Sequence, residues 1–377
     1  MREAQQTAMG KIRVGILFGG KSAEHEVSLQ SARNVYDAID RSKYEPVLIG
    51  IDKTGRWLLN DAGRFLLNSE DPKNISLNPG GEPVALVPRS GGALSGLGAF
   101  REAGRVDVVF PILHGPFGED GTVQGLLKLA DIPFVGSSVL GSAAGMDKDM
   151  MKRLLRDSGI PIGKFLVLRS HEAAPSFSGV KETLGLPLFV KPANMGSSIG
   201  ISKAHNEDEF YRAVAEAFQY DNKIILEEFI RGRELECAVL GNEAPAASVP
   251  GEIISSHEFY SYDAKYLDEN GAALVIPADI DGMTKKQIQE LAVKTFQVLN
   301  CEGLSRVDFF LRDGKDGAGE GRVIVNEINT MPGFTRISMY PKLWEASGVG
   351  YTELISRLIE LAIDRFERER RLKTSRN

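Results

Sequence analysis

At 377 residues the chain is too long for one ordinary hydrophobic core, so two or three domains are expected. Apolar residues at 42% and charged residues at 25% are ordinary for a folded globular protein and exclude a disordered chain. The 45 basic and 51 acidic side chains give a net charge of -6 with no basic run outside the terminal DRFERERRLKTSRN, which excludes a broad nucleic-acid-binding surface.

No window approaches the apolar length of a membrane span, and MREAQQTAMG lacks the apolar stretch of a signal peptide. A cytoplasmic protein is expected, with a loose start ahead of Met9. IRVGILFGG reads as a buried strand ending on two glycines, and SLQSARNVYDAID as the helix after it. PVLIGID and VDVVFPILHG are the next strands, and TVQGLLKLA another helix. Between them, SLNPGGEPVALVPRSGGALSGLGAFREAGR is glycine-rich and reads as an irregular surface excursion. MDKDMMKRLLRDSG opens a second unit with a helix closed by Gly159 and Pro161. Strands PLFVKP, IGISKA and KIILEEFI follow around the helix EDEFYRAVAEAF. A third unit carries ECAVLG, the polar loop SSHEFYSYDAKYLDENGAA, the helix KKQIQELAVKTFQVL and an antiparallel hairpin from SRVDFFL to RVIVNEIN. This alternation of strands and helices is α/β. Cys237 and Cys301 have neither pairing nor metal spacing and read as inert core thiols.

GILFGGKS, Gly15 to Ser22, matches the P-loop pattern letter for letter. A P-loop needs its intervening residues in a loop around phosphates, whereas Ile16, Leu17 and Phe18 continue a strand. The segment reads instead as a strand, turn and helix start, either without a ligand or with Glu24 offered to a ligand ammonium. FVKPANMGSSIGISK is better phosphate chemistry: Lys191 ends a strand, and Gly196, Ser197, Ser198 and Gly200 form a turn whose N–H groups and hydroxyls can cover phosphate oxygens. Lys148 is a second cation at a helix start, or a solvated lysine. Glu227, Glu228 and Glu234 in IILEEFIRGRELE can read a nucleotide's amino group and ribose hydroxyls, or form only an acidic surface.

Residues two apart on a strand share a face, which pairs Arg306 with Asp308 in SRVDFF and Glu327 with Asn329 in VNEINTMPGF. The apolar neighbours Val323, Ile324, Val325 and Ile328 mark the second strand as largely buried, so its carboxylate needs a partner. Asp308, Glu327 and Asn329 then converge as hard oxygen donors suited to Mg²⁺ that also binds nucleotide phosphates.

The ordered segments MDK, FVKPANMGSSIG, LEEFI, RVDFF and NEIN resemble the ATP-grasp carboxylate-amine ligases. With FGGKSAEHEVSLQSA, HGPFGEDGTVQGLL, YDAKY and NTMPGFT, the resemblance narrows to the D-alanine:D-alanine ligases and runs from about residue 11 to 365. It implies a three-domain ATP-grasp fold of α+β lobes behind an N-terminal parallel-sheet α/β domain. The expected division is a tail at 1–10, an N-terminal domain at 11–140, a central lobe at 141–228, a C-terminal lobe at 229–365 with a lid at 255–272, and a charged tail at 366–377.

By the same resemblance, ATP phosphorylates one D-alanine and the amine of a second attacks the acyl phosphate, giving D-alanyl-D-alanine for peptidoglycan. Lys148, Lys191, Ser197 and Ser198 are implied at the phosphates, and Lys265 at the γ-phosphate. Glu227, Phe229, Ile230 and Glu234 are implied at adenine and ribose. Asp308, Glu327 and Asn329 would ligate two Mg²⁺ ions, with Mn²⁺ able to substitute. Arg306 and the Gly333 N–H would stabilise an oxyanion. Glu24 would hold the first D-alanine's ammonium, and Ser338 the second's carboxylate. Tyr266 would link to Ser338 and Glu24 and favour an amine acceptor over D-lactate. His114 sits beside the first substrate or is a hydrogen-bonded structural histidine. The resemblance also implies a homodimer, with no nucleic-acid or membrane partner. Two rivals are another ATP-grasp ligase and a non-catalytic nucleotide-binding sensor, which would lose Arg306 or a metal ligand.

Overall fold

The computed structural model describes residues 10–71, 73–98, 102–255, 272–313, 322–373 and 375. Its first sheet is built on the strand Ile12–Gly19, flanked in parallel by Tyr44–Ile51 and Val108–Ile112. Covered on both faces, such a strand reads as an unbroken apolar run. Ile16, Leu17 and Phe18 are wholly buried in it, which leaves no phosphate loop at GILFGGKS. The chain turns at Gly19 and Gly20, with φ of +90° and +98°, into the helix His25–Ala38. That helix starts before the expected SLQSA because the Ser28 N–H already donates to the Glu24 carbonyl.

The glycine-rich stretch expected to be an irregular excursion instead extends this sheet. Beyond Trp57–Asn60, the strands Glu82–Leu86, Ala93–Gly96 and Glu102–Arg105 add antiparallel neighbours, making seven strands among the described residues. Val84, Leu86 and Leu94 are buried at alternate positions, a period of two that the surrounding Gly and Pro residues hid. The sheet is parallel at the edge that ends on Val108–Ile112 and antiparallel from Tyr44–Ile51 outward to Glu102–Arg105.

The second sheet has the order Phe165–Arg169, Lys223–Glu228, Leu188–Pro192, Ser202–Ala204, all antiparallel. Helices Phe177–Leu184 and Glu207–Ala217 cover one face through Val180, Leu184, Phe210 and Val214. The third sheet runs Ala272–Val275, Gly251–Ser255, Gly232–Gly241, Gly303–Arg312, Val323–Asn329, with Ala246–Ala247 off its path. The helix Gly282–Val298 packs on it through Ile288, Ala292 and Phe296. The expected hairpin is present, with Arg306 opposite Asn329 and Asp308 opposite Glu327.

The helices Met339–Ala346 and Tyr351–Arg370 join the first and third units in one core, where Phe18, Leu29 and Phe110 share a cluster with Leu304, Tyr340, Leu354 and Leu358. The last helix runs into the segment expected to be a tail. Its stripe of Leu354, Ile355, Leu358, Ile359 and Ala362 is buried, and Arg365, only 3% exposed, donates to the carbonyls of Phe134 at 2.7 Å and Gly136. Among the described residues no helix is long and apolar enough to cross a membrane.

Candidate active site

A cleft of about 480 Å³ collects residues from all three units, and every candidate among the described residues lines it. Glu24 and His114 come from the first unit; Lys148, Lys191, Ser197, Ser198 and Glu227 come from the second. Phe229, Ile230, Glu234, Arg306, Asp308, Glu327, Asn329, Gly333 and Ser338 complete it from the third. Lys265 and Tyr266 lie outside the described residues, as does the loop around them.

At one end, the helix Lys148–Asp157 is anchored through its N-cap. The Asp147 carboxylate accepts from the N–H groups of Asp149 and Met150, both at 3.1 Å, and pairs with Lys223 Nζ at 2.5 and 2.7 Å. Lys223 begins the strand that carries Glu227, so helix and strand are tied together. Lys148 Nζ donates to the Met195 carbonyl at 2.6 Å and lies 3.9 Å from Glu327. Burial lowers the Lys148 pKa, against the opposing pull of Glu327.

The Glu227 carboxylate is clasped on both oxygens, by Lys152 Nζ and by Lys191 Nζ, each at 2.6 Å. Burial works to raise its pKa, but the two ammonium groups outweigh that and hold it at about 2. Burial likewise works to lower the Lys191 pKa, and the charges of Glu227 and Glu327 reverse the sign, so it is raised.

Lys191 leads into the serine loop. The Ile199 N–H donates to the Gly196 carbonyl at 3.1 Å, and between them Ser197 and Ser198 have φ of +49° and +61°. This is a type I′ turn, with both central residues in a conformation that L side chains rarely adopt. The Ser197 hydroxyl donates to the Glu24 carboxylate, across 173 positions of sequence.

At the hairpin, the Arg306 guanidinium grips Asp308 with two hydrogen bonds at 2.7 and 2.8 Å and reaches Glu236 at 2.8 Å. Asn329 donates to Asp308 at 3.0 Å. Among the described residues no three Asp, Glu, His or Cys side chains converge as a metal cluster. Two carboxylates and one amide in register on adjacent strands do fit a hard cation whose other ligands are phosphate oxygens. Asp308 would then have to share its oxygens between that cation and Arg306.

At the opposite end, Glu24 is 6% exposed. Both nitrogens of the buried His114 have partners: Nδ1 the Met331 carbonyl at 3.1 Å, and Nε2 the Ser31 hydroxyl at 3.2 Å. Burial works to lower the His114 pKa, but Glu119 and Glu24 reverse this and raise it. Ser338 opens the helix Met339–Ala346; its hydroxyl accepts from the Thr335 N–H at 3.1 Å and meets the Thr335 hydroxyl at 2.8 Å. The Glu24 carboxylate accepts from Ser197, and the expected link from Glu24 to Ser338 through Tyr266 falls on a residue outside the described ones. A Cβ at Gly333 would come within 3.1 Å of Ser338 Oγ.

The cleft residues that escaped the sequence reading include Glu119, Lys152 and Glu236. Lys152 follows Lys148 by one helical turn, and Glu236 follows Glu234 by the two positions that share a strand face, so spacing could have flagged both. Lys21, the lysine of the P-loop match, lies over the Phe117 ring at 5.4 Å.

Two family models match the chain, "D-ala D-ala ligase N-terminus" over residues 13–137 and "D-ala D-ala ligase C-terminus" over residues 154–360. The chain is 56% identical over 369 residues to a D-alanine–D-alanine ligase of Oceanobacillus iheyensis, covering 97% of this chain and 99% of that protein. Among solved structures, a D-alanine-D-alanine ligase from Coxiella burnetii superposes with a TM-score of 0.84 at 39% identity, covering 96% of this chain and 97% of that one. The VanG D-Ala:D-Ser ligase from Enterococcus faecalis gives 0.81 at 37% identity, covering 94% and 100%.

Proposed function

The chain belongs to the D-alanine–D-alanine ligase family, and from that premise we propose how its cleft divides the work. The enzyme is an ATP-dependent ligase that forms the carbon–nitrogen bond between two D-alanine molecules for cell-wall synthesis. A carboxylate is a poor electrophile. In our reading, the first D-alanine takes the terminal phosphoryl group of ATP, and the amine of the second attacks that acyl carbon and expels phosphate.

Lys148, Lys191, Ser197 and Ser198 bind the phosphates, where fixed charge stabilises the transferring group. Glu227, Phe229, Ile230 and Glu234 hold the nucleoside. Asp308, Glu327 and Asn329 would hold Mg²⁺, and the metal would neutralise phosphate charge. Arg306 and the Gly333 N–H face the oxyanion, Glu24 the first substrate's ammonium, with His114 beside it, and Ser338 the second's carboxylate. The three units at 11–140, 141–228 and 229–365 are proposed as domains, and a homodimer as the assembly.

The observation that carries this reading is the strand register that sets Arg306 against Asn329 and Asp308 against Glu327, in the cleft where Lys148 and Lys191 end. Phosphate release from ATP tests it with D-alanine, L-alanine, D-serine or no amino acid. Release that needs D-alanine, with D-alanyl-D-alanine as product, is the expected result. Release without an amino acid, or equally with L-alanine, would overturn it. Because the VanG enzyme is a D-Ala:D-Ser ligase, a mixed D-alanine and D-serine arm reads acceptor choice, and D-alanine is expected to win.

A further inference from the structure

We propose that Lys152 is a positioning residue for nucleotide selection: it fixes the Glu227 carboxylate as an acceptor-only group, so that the cleft takes a 6-amino purine over a 6-keto one. This rests on the reading of Glu227 as a nucleoside contact.

Lys152 is 3% exposed, and its ammonium is spent on Glu227 at 2.6 Å. It therefore has a different task from Lys191, which touches the other Glu227 oxygen but also begins the serine loop. When Lys191 turns to phosphate, Glu227 still needs a cation, because a buried carboxylate without one takes up a proton. Lys152 supplies it from a fixed base. It lies one turn after Lys148 on a helix whose N-cap, Asp147, is bound to Lys223 of the same strand as Glu227.

A carboxylate offers about four lone-pair sites on two oxygens, so a lysine on each leaves acceptor capacity free. An ionised, immobile acceptor can bond the amino group of adenine, whereas the keto oxygen of hypoxanthine meets it acceptor to acceptor. The very low Glu227 pKa fits this state. Such a site rejects an analogue by leaving polar groups unpaired.

The test compares kcat/KM and calorimetric binding for ATP and inosine triphosphate in the wild type, Lys152→Met and Glu227→Gln. We expect Lys152→Met to lower the ATP-to-inosine-triphosphate ratio by about tenfold or more. The loss should fall on nucleotide KM and leave the KM for D-alanine unmoved. A purely structural role would lower the melting temperature and weaken both nucleotides equally; an unchanged ratio overturns the proposal. If Glu227→Gln alone collapses the ratio, Lys152 is not the positioning residue. If neither variant alters it, the nucleoside role of Glu227 itself fails. Should Lys152→Met not fold, Lys152→Gln gives the same readout, since it puts a polar side chain without charge in place of the ammonium paired with Glu227.

Discussion

Individual charges decide most of what this cleft can do. Glu327 lies opposite Asp308 and 3.9 Å from Lys148, so Glu327→Gln keeps volume and fold but removes the charge proposed to face metal. Ligation is expected to fall more than a hundredfold, with metal-free ATP binding little changed; turnover within about tenfold, or 1.4 kcal/mol of barrier, would sink the assignment. Lys21→Ala should leave ATP affinity nearly intact, because its ammonium lies over Phe117, whereas Lys191→Ala should weaken it strongly. Equilibrium nucleotide binding on both variants decides it, and the opposite ranking would revive the P-loop. Glu227 also makes stability depend on pH. Its carboxyl is depressed from 4.5 to about 2, so its stabilisation is complete above pH 4.5 and is lost as pH falls towards 2. The contribution is on the order of 3 kcal/mol at neutral pH. The stability gap between wild type and Glu227→Gln should therefore narrow through that range, as measured by denaturant titration at pH 5, 4 and 3. A gap independent of pH would mean that the lysine clasp does not stabilise the ionised form.

Among the elements, the serine loop is held in a shape its sequence does not favour. Ser197 and Ser198 sit at positive φ, and such positions persist where surrounding contacts over-determine them. Ser197 has its bond to Glu24, and the loop's approach is fixed by Lys148 on the Met195 carbonyl. Ser198→Gly should relieve the backbone and raise stability by up to about 1 kcal/mol, while ATP affinity drops with the lost hydroxyl. A destabilised variant would show that the hydroxyl outweighs the backbone. The glycine pattern GSSIG pointed to this turn, and the i, i+2 spacing of Arg306 with Asp308 and of Glu327 with Asn329 pointed to the hairpin, because both signals are local. The antiparallel extension of the first sheet was not legible. Its strands are short, and their burial comes from Val84, Leu86 and Leu94 packing with Ile49, Ile51 and Leu127 far along the chain.

For the whole molecule, the helix Tyr351–Arg370 binds the first unit to the third. Arg365 supplies donors to the Phe134 and Gly136 carbonyls and stacks over the Phe134 ring at 4.4 Å. Arg365→Met would leave buried carbonyls unpaired at a cost on the order of 3 kcal/mol, read from denaturant unfolding. A loss below about 1 kcal/mol would show that water replaces the guanidinium without penalty. The sequence by itself determined the α/β alternation, the buried first strand, the hairpin and the residue types of the cleft, because strand and helix periods are imposed by backbone geometry within a few residues. Only the tertiary structure decided that Glu24 meets Ser197, that Lys152 and Lys191 share Glu227, and that Arg365 closes on Gly136. Those pairings join residues up to 229 positions apart, and no local period encodes them; they exist because packed sheets and helices bring buried charges and carbonyls together where each must find a partner.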